Sequence, residues 1–144
     1  MSKEKIAQLR KHVSPFEKAD VKKSVRQMIN TILPFLAAWF LAYQALDISV
    51  FLTIPLAIVA AGFVVRMFII FHDCTHGSFF KNRKANNIVG TIMGVLTLFP
   101  YEKWKREHSI HHASSGNLDK RGVGDIWVMT IEEYVEASKW TRLQ

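Results

Sequence analysis

The chain has 144 residues, 49% of them hydrophobic, and a formal net charge of +7 from 19 Lys and Arg against 12 Asp and Glu. This length allows one small domain, and the single cysteine, Cys74, excludes a framework of internal disulfides. The basic surplus indicates either a nucleic acid or an anionic membrane surface as partner. Because the apolar residues are concentrated between Ile32 and Phe71, we favour the membrane and expect no nucleic-acid partner.

The first segment, residues 1–27, is a basic head that we expect to lie in the cytosol. It carries three acidic residues, Glu4, Glu17 and Asp20, and eight basic ones, Lys3, Lys5, Arg10, Lys11, Lys18, Lys22, Lys23 and Arg26. Most of these side chains are interpreted as solvated. Because they lie next to an apolar segment, they indicate which side of the membrane this segment faces.

Two uncharged apolar runs come next, Met28–Leu46 and Ile48–Val65. Each is about as long as a helix must be to cross the hydrocarbon of a bilayer. Pro34 falls in the first turns of the first run, where proline is tolerated. Only Asp47 separates the runs, which predicts an antiparallel helical hairpin. The turn has no Lys or Arg and both open ends are basic, so the N-terminus and everything after Arg66 are predicted to face the cytoplasm.

The second helix is predicted to continue past Arg66, since nothing breaks the pattern before Gly77. The apolar run Ile88–Pro100 is too short for an ordinary span and is interpreted as a re-entrant or interfacial helix. Beyond it the pattern predicts a helix at Tyr101–His112, a loop at Ala113–Gly124 and an amphipathic helix at Ile131–Gln144. The predicted fold is an all-α membrane protein, with a transmembrane hairpin (residues 28–71) and cytosolic helical extensions that carry histidines (residues 72–144).

Five of the six histidines lie in two clusters with helical spacing. His72 and His76 are at positions i and i+4, and His108, His111 and His112 are at i, i+3 and i+4. Residues so spaced share one face of a helix, and imidazole is a general nitrogen ligand for iron, copper, nickel and zinc. We therefore predict a metal site at the cytosolic end of the second span.

Neighbouring residues limit the chemistry of this site. A zinc protease would need Glu in the second position of the first cluster, where this chain has Asp73, and no third ligand occurs at the usual downstream spacing. Asp73 is better interpreted as the acceptor that orients a histidine. Cys74 is either a ligand or a small buried residue. His12 has no histidine nearby and is left out of the site.

These clusters resemble the histidine boxes of the membrane fatty acid desaturase family. His72–His76 (HDCTH) with its continuation Gly77–Phe80 (GSFF) resembles the first box, and His108–His112 (HSIHH) resembles the second. The segment with Gly122–Asp125 and Glu133 resembles the residues after the second box in bacterial acyl-lipid desaturases. The resemblance covers nearly the whole chain after the basic head.

The resemblance implies a non-haem di-iron oxygenase of the cell membrane that uses O2 and two electrons to introduce a double bond into a lipid acyl chain. It implies five iron ligands, namely His72, His76, His108, His111 and His112. Asp125 and Trp127 would support the site or approach the substrate. Electrons would come from a separate ferredoxin-type or flavodoxin-type donor or from a cytochrome b5.

The chain departs from the family in having no second hairpin and no third histidine box before Gln144. We therefore expect it to be an incomplete fragment, inactive alone or dependent on a complementing C-terminal half. Two other interpretations stay open. One is another histidine-box membrane oxygenase, such as an alkane or carotenoid hydroxylase, and the other is a non-catalytic membrane remnant.

Overall fold

Helices make up the regular structure of the residues that the computed structural model describes, which are residues 2–14, 18–122 and 127–143. These ranges contain no strand, so the all-α prediction is confirmed. The chain divides into two compact units, Met1–Tyr101 and Glu102–Gln144.

The first unit opens with helix α1, Lys3–Val13, whose N-cap Ser2 accepts a hydrogen bond from the Lys5 backbone N–H. Helix α2 then runs from Val21 to Ala45, with Asp20 as its N-cap. The Asp20 carboxylate accepts from the backbone N–H groups of the first turn, which would otherwise lack partners.

Helix α2 begins well before the apolar run that predicted it. Pro34 therefore lies in the helix interior, and its predicted place in the first turns is wrong. The apolar pattern marks the stretch suited to hydrocarbon, whereas the helix start is set by the Asp20 cap and by polar residues that favour helix. Proline inside a helix is better tolerated in membrane spans than in water-soluble helices.

Helix α3 runs from Val50 to Thr75, with Ser49 as its N-cap. It continues past Arg66, as predicted. Its end is marked by Gly77, whose φ of +69° is a left-handed conformation that glycine adopts without steric cost. Only residues 46–49 connect α2 to α3.

Helices α2 and α3 pack against each other in antiparallel orientation. Far from their short connection, the Arg66 Nε–H donates to the Thr31 hydroxyl across 3.4 Å, and Thr31 is fully buried. Small residues are buried along the helices, namely Ala38, Ala42, Ala45 and Ala60. Small residues let helix backbones approach closely, as is common in membranes.

Large apolar side chains of the same two helices point outward. Phe51 is 84% exposed and Ile58 67% exposed, and Leu33, Trp39, Phe40 and Val65 are also exposed. Both helices are long and apolar enough to cross a membrane.

Helix α4, Arg83–Leu96, packs against α3. It begins earlier than the predicted segment 88–100, because Asn82 caps it by accepting from the backbone N–H groups of Lys84 and Ala85. A side chain at Gly94 would lie 2.5 Å from the Phe99 carbonyl oxygen, so only glycine allows the chain to turn back this closely after α4.

Helix α5 begins at Tyr101, the last residue of the first unit, and ends at Ser114. The predicted helix at 101–112 is therefore confirmed. In the second unit a 3-10 turn, Leu118–Lys120, lies within the segment predicted as a loop, of which residues 123–124 fall outside the described ranges.

Helix α6 is much shorter than the amphipathic helix predicted for Ile131–Gln144. It spans Ile131–Glu136 and ends where Ala137 turns extended, with ψ of 149°. The Ser138 hydroxyl then accepts from the Thr141 backbone N–H across 3.1 Å. Serine side chains that bond nearby backbone in this way compete with helix, which the apolar pattern alone could not reveal.

The start of α6 is fixed by Glu133. Its carboxylate accepts from the backbone N–H of the N-cap Thr130 across 2.8 Å, while the Thr130 hydroxyl accepts from the Glu133 N–H across 3.2 Å. The same carboxylate accepts hydrogen bonds from both terminal nitrogens of the Arg121 guanidinium. This paired contact ties the 3-10 turn region to α6.

The contact between Arg121 and Glu133 is predicted to lose its contribution to stability in acid. Hydrogen bonds from Arg121 and from the Thr130 backbone lower the pKa of the Glu133 carboxyl to about 2. Since an unfolded glutamate has a pKa of about 4.3, the contact contributes stability that is fully present above that pH and is lost as the pH falls through the folded value.

The Glu133 carboxyl carbon resonance should titrate near pH 2. Arg121→Gln should move the midpoint toward about 4.3, whereas Lys120→Gln should leave it in place. A wild-type midpoint near that of free glutamate would contradict the prediction.

Candidate metal centre

His72 and His76 form a pair on one face of α3. His72 lies in the last turns of the helix, and His76 is its C-cap with helical φ and ψ of −73° and −12°. The two Nε2 atoms are 3.2 Å apart, and the ring centroids are 4.5 Å apart. The predicted i, i+4 pairing is therefore present, with one nitrogen of each ring directed at the other.

Asp73 lies beside this pair. Its carboxylate oxygen is 3.3 Å from Nδ1 of His72, and both side chains are about one-third exposed. A carboxylate at Nδ1 favours the tautomer with a proton there, which leaves the Nε2 lone pair available to a metal.

A buried tyrosine that the sequence did not reveal fixes the helix end between the two histidines. The Tyr101 hydroxyl lies 3.0 Å from the Cys74 carbonyl oxygen and 3.2 Å from the Asn87 side-chain oxygen, so its one proton serves either acceptor. Cys74 is 1% exposed, in keeping with its interpretation as a small buried residue. Gly90 makes room for the tyrosine, because a Cβ there would overlap atoms of the Tyr101 ring.

The segment after the first cluster is also held by buried polar side chains. The Asn86 side-chain amide accepts from the Phe80 N–H across 2.9 Å and donates to the Phe80 carbonyl across 2.7 Å. The Ser24 hydroxyl donates to the Phe79 carbonyl across 2.5 Å. Sequence reasoning missed both residues. The asparagines at 82, 86 and 87 were a signal for Asn86, but nothing local pointed to Ser24, which is 55 residues away from Phe79.

In the second unit, α5 carries the other three histidines. The Nε2 atoms of His108 and His112 are 3.0 Å apart, and the ring centroids are 4.5 Å apart. The His111 ring lies 5.7 Å from that of His108 and 5.4 Å from that of His112. Trp104 stacks on His108 with centroids 4.2 Å apart, a contact that the i, i+4 spacing could have predicted.

The two remaining candidates lie outside these pairs. Asp125 falls outside the described residues. Trp127 is exposed and lies under the guanidinium of Arg121, which is 4.4 Å from the ring centroid. The contacts described for Trp127 thus belong to the Arg121–Glu133 region.

Both histidine pairs fit a metal ion. When two nitrogens each lie about 2.1 Å from one metal ion and the nitrogen–metal–nitrogen angle is about 90°, the nitrogens are about 3 Å apart. The Nε2 separations of 3.2 Å and 3.0 Å agree with this value. Neutral imidazole suits iron as well as zinc and copper, so the donor type fits a non-haem iron centre.

Comparison with known proteins finds matches over most of the chain. Residues 48–129, more than half of the chain, match the family model described as fatty acid desaturase. A fatty acid desaturase of Bacillus subtilis is 55% identical over 139 residues, which are 96% of this chain and 40% of that protein.

Two further relatives carry more specific names. An endoplasmic reticulum omega-3 fatty acid desaturase of Vigna radiata is 30% identical over 90% of this chain and 36% of its own length. A ferredoxin-dependent sn-1 acyl-lipid omega-3 desaturase of Synechocystis is 35% identical over 51% of this chain and 20% of its own length. The chain thus spans two-fifths or less of the length of these relatives. No solved structure matches it. The match over residues 48–129 and the likeness to the Bacillus subtilis protein place the chain in the fatty acid desaturase family.

Proposed function

We propose that this chain supplies the membrane hairpin and five iron ligands of an enzyme that introduces a double bond into a lipid acyl chain. The observation that carries the proposal is the pair of Nε2 atoms on each of α3 and α5, at 3.2 Å and 3.0 Å. His111, beside the second pair, is the fifth ligand. The division into a basic head, a hairpin and a histidine-box region (1–27, 28–71 and 72–144) is part of the same proposal.

The outward apolar side chains of α2 and α3 support a place in the cell membrane. A helix pair in water would bury residues such as Phe51 and Ile58, which here are largely exposed. The 46–49 connection has no Lys or Arg, whereas Lys22, Lys23 and Arg26 lie at the opposite end. The positive-inside rule therefore assigns that end, with the histidines, to the cytoplasm.

Arg66 indicates the depth of the site. If its guanidinium lies at the cytoplasmic edge of the hydrocarbon, His72 and His76 come six and ten residues after it. At the helical rise they lie about 9 Å and about 15 Å beyond that edge. The first pair is thus at headgroup level, close to lipid and open to soluble reactants.

The protein residues hold and shape the site. The Asp73 carboxylate keeps the His72 proton on Nδ1, Tyr101 holds the Cys74 carbonyl between the two histidines, and Trp104 covers one face of the His108 ring. Iron held by the five histidines would supply the activation of O2 that is needed to remove hydrogen from an unactivated methylene. The overall reaction converts –CH2–CH2–, O2, two electrons and two protons into –CH=CH– and two water molecules. An external ferredoxin-type, flavodoxin-type or cytochrome b5 donor supplies the electrons.

The proposal is tested in a host without desaturases, by measurement of total fatty acids. Residues 1–144 are expressed alone and, in a second strain, joined to the part of the Bacillus subtilis desaturase that lies beyond the matched region. New unsaturated fatty acids are expected in at least one strain, and none in the His108→Ala, His112→Ala double variant of that strain. Iron bound without any new product in either strain, or hydroxylated products, would overturn the desaturase assignment.

A further inference from the structure

We infer that α1 is an interfacial helix that binds anionic lipid at the cytoplasmic surface. This inference rests on the proposed place of α2 and α3 in the membrane, and it concerns a part of the chain outside the metal centre.

The first observation is the distribution of side chains around α1. Ile6, Leu9 and Val13 recur at helical spacing and share one face. They are 37%, 52% and 46% exposed, so this apolar stripe is open in the structure. At 3.6 residues per turn, Lys5 and Arg10 fall on either side of the stripe.

The second observation is charge. Helix α1 contains four Lys or Arg residues and one acidic residue, Glu4. Basic side chains that flank an apolar stripe can lay their hydrocarbon stems along a bilayer and place their charges among anionic headgroups. Each basic residue near such a surface is attracted to the anionic headgroups. This pattern favours an anionic lipid surface over an uncharged partner.

The third observation is reach. Helix α1 ends at Val13 and α2 begins at Val21, and eight residue steps span at most about 28 Å. The first turns of α2 carry Lys22, Lys23 and Arg26, which the topology places at the cytoplasmic headgroups. Helix α1 is therefore tethered within reach of that surface, where the high local lipid concentration favours even a weak interfacial contact.

The test uses the full chain in lipid nanodiscs made with phosphatidylcholine alone or with added phosphatidylglycerol. An environment-sensitive fluorophore is attached through Leu9→Cys on the apolar stripe or through Gln8→Cys, which lies about 100° around the helix from Leu9 and off the stripe. Phe40→Cys, on an outward position of α2, tests the span itself. Cys74 is 1% exposed, and the unsubstituted protein measures its background labelling.

With phosphatidylglycerol, spin-labelled lipid should quench the position 9 probe about threefold or more relative to the position 8 probe, and aqueous iodide should show the reverse order. Lys5→Glu with Arg10→Glu should abolish this difference. Equal quenching at positions 8 and 9, or a position 9 probe shielded from both quenchers, would overturn the inference, the latter indicating a protein cover. Absence of lipid quenching at position 40 would instead overturn the membrane placement, and the inference with it.

Discussion

Replacing His108 and His112 together by alanine is expected to lower the iron content of the purified protein at least tenfold. The reason is that even residues that only support metal ligands change metal affinity by about 10- to 100-fold when mutated, and this variant removes two of the proposed ligands, whose Nε2 atoms lie 3.0 Å apart. His72→Ala with His76→Ala should cause the same loss, since their Nε2 atoms are 3.2 Å apart. Elemental analysis of protein purified from iron-supplemented cells gives the measurement.

The sixth histidine supplies the control for this experiment. His12 lies on α1, with Nδ1 2.9 Å from the Gln8 carbonyl oxygen, so His12→Ala should keep the wild-type iron content. If both pairs serve one centre, either double variant loses nearly all iron. About half of the wild-type iron in each variant would instead indicate a separate ion at each pair and would contradict the tenfold loss. Equally low iron in wild type and both variants would contradict the metal assignment.

The second large effect, a loss of stability, is expected when a side chain is added at Gly90. Gly90→Ala should lower the free energy of unfolding by about 1–3 kcal/mol, the usual cost of forcing extra atoms into a packed interior. The new Cβ would meet the buried Tyr101 ring and displace the hydroxyl from the Cys74 carbonyl. Reversible unfolding in mixed detergent micelles measures the change.

Gly62 is the matched control, because it lies inside α3 and a Cβ added there would meet nothing within 4 Å. Gly62→Ala should be neutral or stabilising by up to about 1 kcal/mol, since alanine favours helix. Tyr101→Phe keeps the ring and loses only the hydroxyl contacts, which should cost about 1 kcal/mol. Equal stability of the Gly90 and Gly62 variants would show that the tyrosine does not depend on the glycine.

The parts of the fold that the sequence predicted correctly depend on local patterns. The continuation of α3 past Arg66 results from an unbroken apolar pattern, and the pairing of His72 with His76 results from helical spacing. The same holds for His108 and His112 on α5. Neighbours at i and i+4 meet on any helix, so these contacts needed no knowledge of tertiary structure.

The parts of the fold that the sequence did not predict depend on contacts between distant residues or on capping side chains that start or end a helix. The Tyr101–Gly90 contact and the Ser24–Phe79 hydrogen bond join residues that no periodic pattern relates. The length of α6 depends on Ser138, whose hydroxyl bonds to the next turn instead of continuing the helix. Asp20 likewise starts α2 earlier than hydropathy alone predicts.

The short connection at residues 46–49 has a consequence for the proposed insertion of α2 and α3 into a bilayer. Helix α3 is the more apolar of the two long helices, whereas α2 contains Asn30, Pro34 and Gln44. So short a link leaves α2 no room to stay in water while α3 inserts, so the pair is expected to partition as one unit. The favourable insertion free energy of α3 would then carry the weaker helix with it. If α2 and α3 span the membrane as proposed, insertion of α2 would thus depend on a segment that is synthesised after it.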